Sequence, residues 1–188
     1  MVQIAVVYHS GYGHTAKQAA AVAAGVDSVE GAKAQLISVD QIEEHWASLE
    51  AADGIVFGSP TYMGGVSAPF KTFMDASSKP WYARAWKDKI AAGFTNSASQ
   101  SGDKLSTLIQ LAVFAAQHGM IWVGLDILPG NNNSKGSVED LNRLGSFLGA
   151  MAQSNADQPA ELVPPLADLK TAEVLGARVA ETAKRFKK

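Results

Sequence analysis

The chain has no cysteine among its 188 residues, which excludes disulfides, thiolate catalysis and cysteine-bound zinc or iron–sulfur centres. Histidine is scarce: His9, His14, His45 and His118 are scattered without metal-ligand spacing. Neither sign of charge predominates. Lys and Arg number 16 against 18 Asp and Glu, leaving a net charge of −2. There is thus no basic footprint for nucleic acid, and no strongly acidic surface either. No apolar run is long enough to cross a bilayer. Met1 leads directly into a strand-like run, without the basic n-region or small-residue cleavage site of a signal peptide. The expected compartment is the cytoplasm, where the sequon Asn132-Asn133-Ser134 carries no meaning. Neither a membrane nor nucleic acid is an expected partner.

With 47% hydrophobic and 18% charged residues, the composition is that of an ordinary globular protein. A single domain over residues 1–188 is expected. Val2 to Tyr8 is a continuous apolar, β-branched run, as in a strand buried on both faces. From Thr15, residues Ala19, Val22, Ala23 and Val26 mark one helix face, with Gly25 and Gly31 at its exit. A strand at about Lys33 to Val39, a helix at Gln41 to Leu49 and a strand at Gly54 to Gly58 follow. Next come a helix over Ala68 to Ala76 and a strand over Lys89 to Phe94. The helix after it carries Leu105, Leu108, Ile109, Ala112 and Ala116 on one face. A fifth strand covers Met120 to Leu125, and a last helix from about Thr171 carries Leu175, Val179, Thr182 and Phe186. This alternation predicts an α/β fold, a parallel sheet with helices on both faces. Pro129 to Pro165, rich in Asn, Gly, Ser and Pro, reads as a loop-rich excursion.

Ligands of open α/β sheets bind beyond the carboxyl ends of the strands, and the loops after strands one, three and four are unusual there. The first contains Gly11-Tyr12-Gly13-His14-Thr15-Ala16, which fits the dinucleotide pattern G-x-G-x-x-G/A. Ser10 and Thr15 add hydroxyls, and the following helix adds the positive end of its dipole. That combination suits a terminal phosphomonoester, whereas a dinucleotide loop relies on backbone and glycines and expects an acid about 20 residues on. Asp40 keeps the dinucleotide reading open. The second loop, Gly58-Ser59-Pro60-Thr61-Tyr62-Met63-Gly64-Gly65, presents a hydroxyl, an aromatic face and a thioether suited to a flat ring. The third, Thr95-Asn96-Ser97-Ala98-Ser99-Gln100-Ser101-Gly102, offers small polar groups and little bulk. In the strand order 2-1-3-4-5 all three loops meet at one crevice beside the switch point.

These stretches, together with Ala116-Gln117-His118-Gly119-Met120, resemble the WrbA branch of the flavodoxin-like proteins over Met1 to about Val123. The resemblance implies a flavodoxin-like three-layer sandwich with a five-stranded parallel sheet. It also implies FMN as bound cofactor, NADH or NADPH as electron donor, a quinone as acceptor, and a homo-oligomer, dimer or tetramer. It places Ser10, Gly11, Tyr12, Gly13, His14 and Thr15 around the FMN phosphate, and Pro60, Thr61, Tyr62 and Met63 against the ring. Asn96, Ser97, Ala98, Ser99, Gln100 and Ser101 match the loop along the flavin's polar edge. His118 matches a histidine near the ring; Tyr12 and Trp81 match residues at the nicotinamide or quinone site. The chain departs from the family in three places: a third loop poorer in glycine, no insertion after strand two, and no Thr-Pro-Tyr-Gly stretch. A flavodoxin-type electron carrier and an FMN reductase stand as rival readings.

Overall fold

In the computed structural model, which describes residues 1–187, β1 (Val2–Tyr8) pairs in parallel with β2 (Ala32–Ser38) on one side and with β3 (Gly54–Tyr62) on the other. The next strand in space is β5 (Ile90–Ser97), parallel to β3. Between them β4 (Gly65–Val66) folds back on β3 as an antiparallel hairpin through Met63 and Gly64, whose φ angles of 49° and 81° match the twist of a two-residue turn.

The last position of the sheet is filled twice. The short β6 (Ile121–Trp122) pairs with Ile90 and Ala91, at the start of β5. The chain then leaves the sheet and returns as β7 (Ala150–Gln153), which pairs with Phe94 to Ser97 at the other end of β5. The order is therefore that of the flavodoxin-like sheet, β2-β1-β3-β5-β6/β7, and the expected strand at Met120 to Leu125 is only its first half. Within the stretch read as loop-rich, residues 150–153 are strand.

Alternation along β1 sends Ile4 and Val6 to one face and Ala5 and Val7 to the other. On the first face lie α1 (His14–Asp27) and α6 (Leu166–Phe186), contributing Ala19, Val22, Leu175 and Val179. These two helices approach closely: a Cβ on Gly25 would sit 1.9 Å from the carbonyl oxygen of Glu173, and one on Gly176 would sit 2.0 Å from that of Val22. Gly25 is thus a packing residue inside α1, not part of its exit. On the second face, α3 (Ala68–Ala76) and α5 (Lys104–Gln117) enclose Phe70, Phe73, Leu108 and Leu111. A short α4 (Ser78–Tyr82) follows α3, and the helix expected at Gln41 to Leu49 is split into a 3-10 turn, Val39–Glu44, and α2 (Trp46–Ala51).

Two helix faces differ from expectation. The buried face of α5 is Lys104, Thr107, Leu108, Leu111, Phe114 and Ala115, while Leu105, Ile109 and Val113 form an exposed apolar row. On α6 the inward face runs through Ala172, Leu175, Gly176, Val179, Ala180 and Ala183, and Phe186 is exposed. Helix α5 is apolar on more than one side, so spacing alone selects a stripe that mixes buried Leu108 with exposed Leu105 and Ile109. On α6 the expected Leu175 and Val179 are buried, and only the later part of the stripe departs. Among the described residues no helix is long and apolar enough to cross a membrane.

Candidate functional site

The carboxyl ends of β1, β3 and β5 open into a crevice of about 320 Å³. Ser10, Tyr12, His14 and Thr15 line it from the first loop, Pro60 and Tyr62 from the second, and Asn96, Ser97 and Ala98 from the third. An adjoining depression of about 380 Å³ shares Tyr62, Ser97 and Ala98 and adds Thr61, Met63 and Ser99. The three loops predicted from the sequence therefore meet.

The first loop ends in Gly13, which occupies the N-cap position of α1 with φ +84° and no side-chain cap. A Cβ there would lie in the left-handed region and 2.9 Å from Ala160 Cβ. Ser10 Oγ accepts a hydrogen bond from Ala16 N–H at 3.1 Å, and Lys17 N–H returns to the Gly13 carbonyl at 3.1 Å. The N–H groups of residues 11–15 find no acceptor within the described residues. Thr15, only 2% exposed as a residue, lines the crevice beside them. With no acidic residue in the first turn of α1, these donors and the helix dipole form an anion cradle. Across its mouth His14 Nε2 lies 2.9 Å from the Gln158 carbonyl, so the segment after β7 closes one wall.

The second and third loops are more strand-like than their composition implies. Ser59 and Pro60 pair with Thr95 and Asn96, and the polar side chains satisfy one another. Thr61 Oγ1 lies 2.8 Å from Thr95 Oγ1 and 2.8 Å from Thr107 Oγ1, all three residues buried. Asn96 donates to Ser154 Oγ at 2.8 Å. Tyr62 leans over the cradle, and a Cβ on Gly11 would meet its Oη at 2.9 Å. Burial and then the neighbouring Tyr12 raise the Tyr62 pKa. Tyr12 is 78% exposed, and Met63 stands free at its hairpin tip. Nearby, His9 Nδ1 is 2.8 Å from Ser67 Oγ, and burial lowers its pKa against the pull of Asp40.

Not every expected residue reaches this site. Gln100 and Ser101 line neither the crevice nor the depression. Trp81 and His118 line a separate cavity of about 590 Å³ between α3, α4 and α5. His118 caps the far end of α5, about 20 Å along the helix from the crevice at 1.5 Å per residue. It is buried, stacks on Trp86 at 4.2 Å between ring centroids, and is 3.0 Å from Ser77 Oγ through Nε2. Burial holds its pKa down to about 4. Within one copy of the chain, then, neither His118 nor Trp81 contacts the crevice. Conversely, Ser154 and Ala156 line it, from a segment with no recognisable motif.

The strand order, with the anion cradle beside the switch point, defines a flavodoxin-like protein. The chain belongs to the family described as NADPH-dependent FMN reductase, whose profile matches residues 29–133. The chemistry of that family is that of FMN and a nicotinamide electron donor. Flavodoxin FldP of Pseudomonas aeruginosa is 45% identical over 99% of both chains. An NAD(P)H dehydrogenase (quinone) of Archaeoglobus fulgidus is 32% identical over 99% of this chain and 100% of its own. The crystal structure of a flavodoxin, WrbA-like protein from Agrobacterium tumefaciens superposes with a TM-score of 0.79 at 44% identity, covering all of both chains.

Proposed function

We propose that the protein is an FMN flavoprotein that uses NAD(P)H to reduce quinones by two electrons. The observation that carries this reading is the anion cradle opening onto a depression with an exposed aromatic and thioether rim. The free N–H groups of residues 11–15 and the Thr15 hydroxyl fit a phosphomonoester, which offers acceptors only. Tyr62 and Met63 would hold the flavin ring, and the segment Asn96 to Ser99 would run along its polar edge. FMN, when bound, supplies the capacity to take up a hydride and pass on two electrons. Tyr12, exposed beside the crevice, would stack on the nicotinamide or the quinone. One open face serving donor and acceptor in turn gives ping-pong kinetics. In this reading Trp81 and His118 contribute to substrate binding only from a second copy of the chain, so the working form is a homo-oligomer, in the cytoplasm.

The alternative is an electron carrier without a substrate of its own, and the 45% identity to a protein named flavodoxin favours it. Against it stands the net charge of −2, small for a protein that docks on basic partners through complementary charge. The test is to load the protein with FMN, desalt it, and add NADH and then a quinone without oxygen. Flavin absorbance that survives desalting, bleaches with NADH and returns with the quinone is the expected result. Retained flavin that NADH cannot bleach supports the carrier, and no retained flavin overturns both readings.

A further inference from the structure

Lys104 is the first residue of α5 and is fully buried, an unfavourable place for an ammonium group unless its protons are taken up. Its Nζ donates to the carbonyls of Ser99 and Gln100, the latter at 3.2 Å. It also faces the Asp168 carboxylate of α6, which opposes the effect of burial on its pKa, and the Arg143 guanidinium, which reinforces it; the result is a pKa of about 8. One residue earlier in the loop, the Ala98 carbonyl accepts from the side-chain amide of Gln153 at 3.2 Å. Neither Lys104 nor Gln153 lines the crevice or its depression. Three successive carbonyls, 98–100, are thus bound from outside the ligand space. A trans peptide directs its N–H opposite to its carbonyl, so the N–H groups of Ser99, Gln100 and Ser101 are turned the other way. None of them has an acceptor within the described residues.

We infer that Lys104 is a positioning residue: with Gln153 it holds the peptide planes of residues 98–101 so that the N–H of Ser99, a residue on the wall of the depression, faces the ligand, and its charge stands behind that wall. A ligand edge rich in acceptors is favoured there, and favoured more when that edge gains negative charge on reduction. This role rests on the FMN reading and concerns the ring's polar edge, not the phosphate. A lysine that only plugs the loop would support folding without distinguishing oxidised from reduced ligand.

The experiment compares wild type, Lys104→Met and Lys104→Gln, measuring the FMN Kd by fluorescence quenching, the midpoint potential of the bound flavin and the melting temperature. Lys104→Met is expected to weaken oxidised FMN about tenfold (about 1.4 kcal/mol). It should weaken reduced FMN about tenfold further, lowering the two-electron potential by about 30 mV. Lys104→Gln, which keeps a donor without the charge, is expected to recover most of the oxidised affinity and none of the potential; it carries the test should Lys104→Met not fold. A lower melting temperature with Kd and potential unchanged would overturn the role of Lys104 and leave the flavoprotein reading standing. Failure of wild type to bind FMN overturns that reading and this role with it.

Discussion

Replacing Asp168 by alanine removes the partner of a buried cation. The Arg143 and Asp168 side chains are 9% and 2% exposed. The carboxylate accepts from Arg143 Nε at 2.7 Å, from Arg143 Nη2 at 2.8 Å and from Gln153 N–H at 2.9 Å. Without it the guanidinium keeps only the Gln153 Oε1 contact at 3.4 Å. A buried charge left unpaired in this way costs about 3–5 kcal/mol, a large share of a total stability of about 5–15 kcal/mol. At about 2–4 °C per kcal/mol for a domain of this size, the melting temperature should fall by about 6–20 °C. The control is Arg143→Met/Asp168→Leu, which removes both charges and fills the space with apolar atoms; it should return to within about 1 kcal/mol of wild type or exceed it. Urea midpoints at constant m-value, read by circular dichroism, measure both. A loss below about 1 kcal/mol for Asp168→Ala would refute the argument that the pair is desolvated. So would a double variant no more stable than the single one.

Thr15→Val keeps the shape of the side chain and removes the hydroxyl from the anion cradle. Loss of a hydrogen bond to a charged group costs about 1.5–3 kcal/mol, so FMN affinity should fall about 10- to 100-fold while riboflavin affinity, measured by the same quenching titration, stays unchanged. Equal losses for both ligands would place the phosphate elsewhere. His118, with its pKa held down to about 4 by burial, is neutral in the folded chain where the unfolded chain, titrating near pH 6.5, takes up a proton. Its contribution to stability is therefore complete above about pH 6.5 and is lost as the pH falls toward 4, by about 3 kcal/mol at most. Unfolding of His118→Asn at about pH 7.5 and about pH 5 should show a flatter pH dependence than wild type; an identical slope would count against the buried neutral imidazole.

How far these features are legible in the sequence depends on what encodes them. Val2 to Tyr8 is legible because an unbroken β-branched run has few other places to go, and the observed strand has those bounds. The anion cradle is legible because it is local: Ser10, Gly13 and Thr15 are held by their own turn and helix. The ends of β3 and β5 are not, since Pro60, Thr95 and Asn96 look like loop residues until the sheet pairs them and Thr107 supplies a hydroxyl from α5. The segment after β7 leaves no trace in composition, because Ser154 and Ala156 matter only through where the returning chain delivers them. Lys104 hides for a similar reason: a lysine at a helix start reads as a solvated charge, and only the carbonyls of Ser99 and Gln100 reveal otherwise.

The divided edge strand also orders events in time. A chain emerging from the ribosome can form β1, β2, β3 and β5 and close the first part of the edge with β6, all before residue 123. Phe94 to Ser97 then wait as an unpaired strand edge until Ala150–Gln153 has been made, and such an edge is a template for pairing with other chains. The half of β5 that borders the crevice is the half that waits. Truncation between residues 123 and 149 would therefore leave this flank open and adhesive, with the cradle lacking the wall that Gln158 supplies and α1 lacking its partner α6.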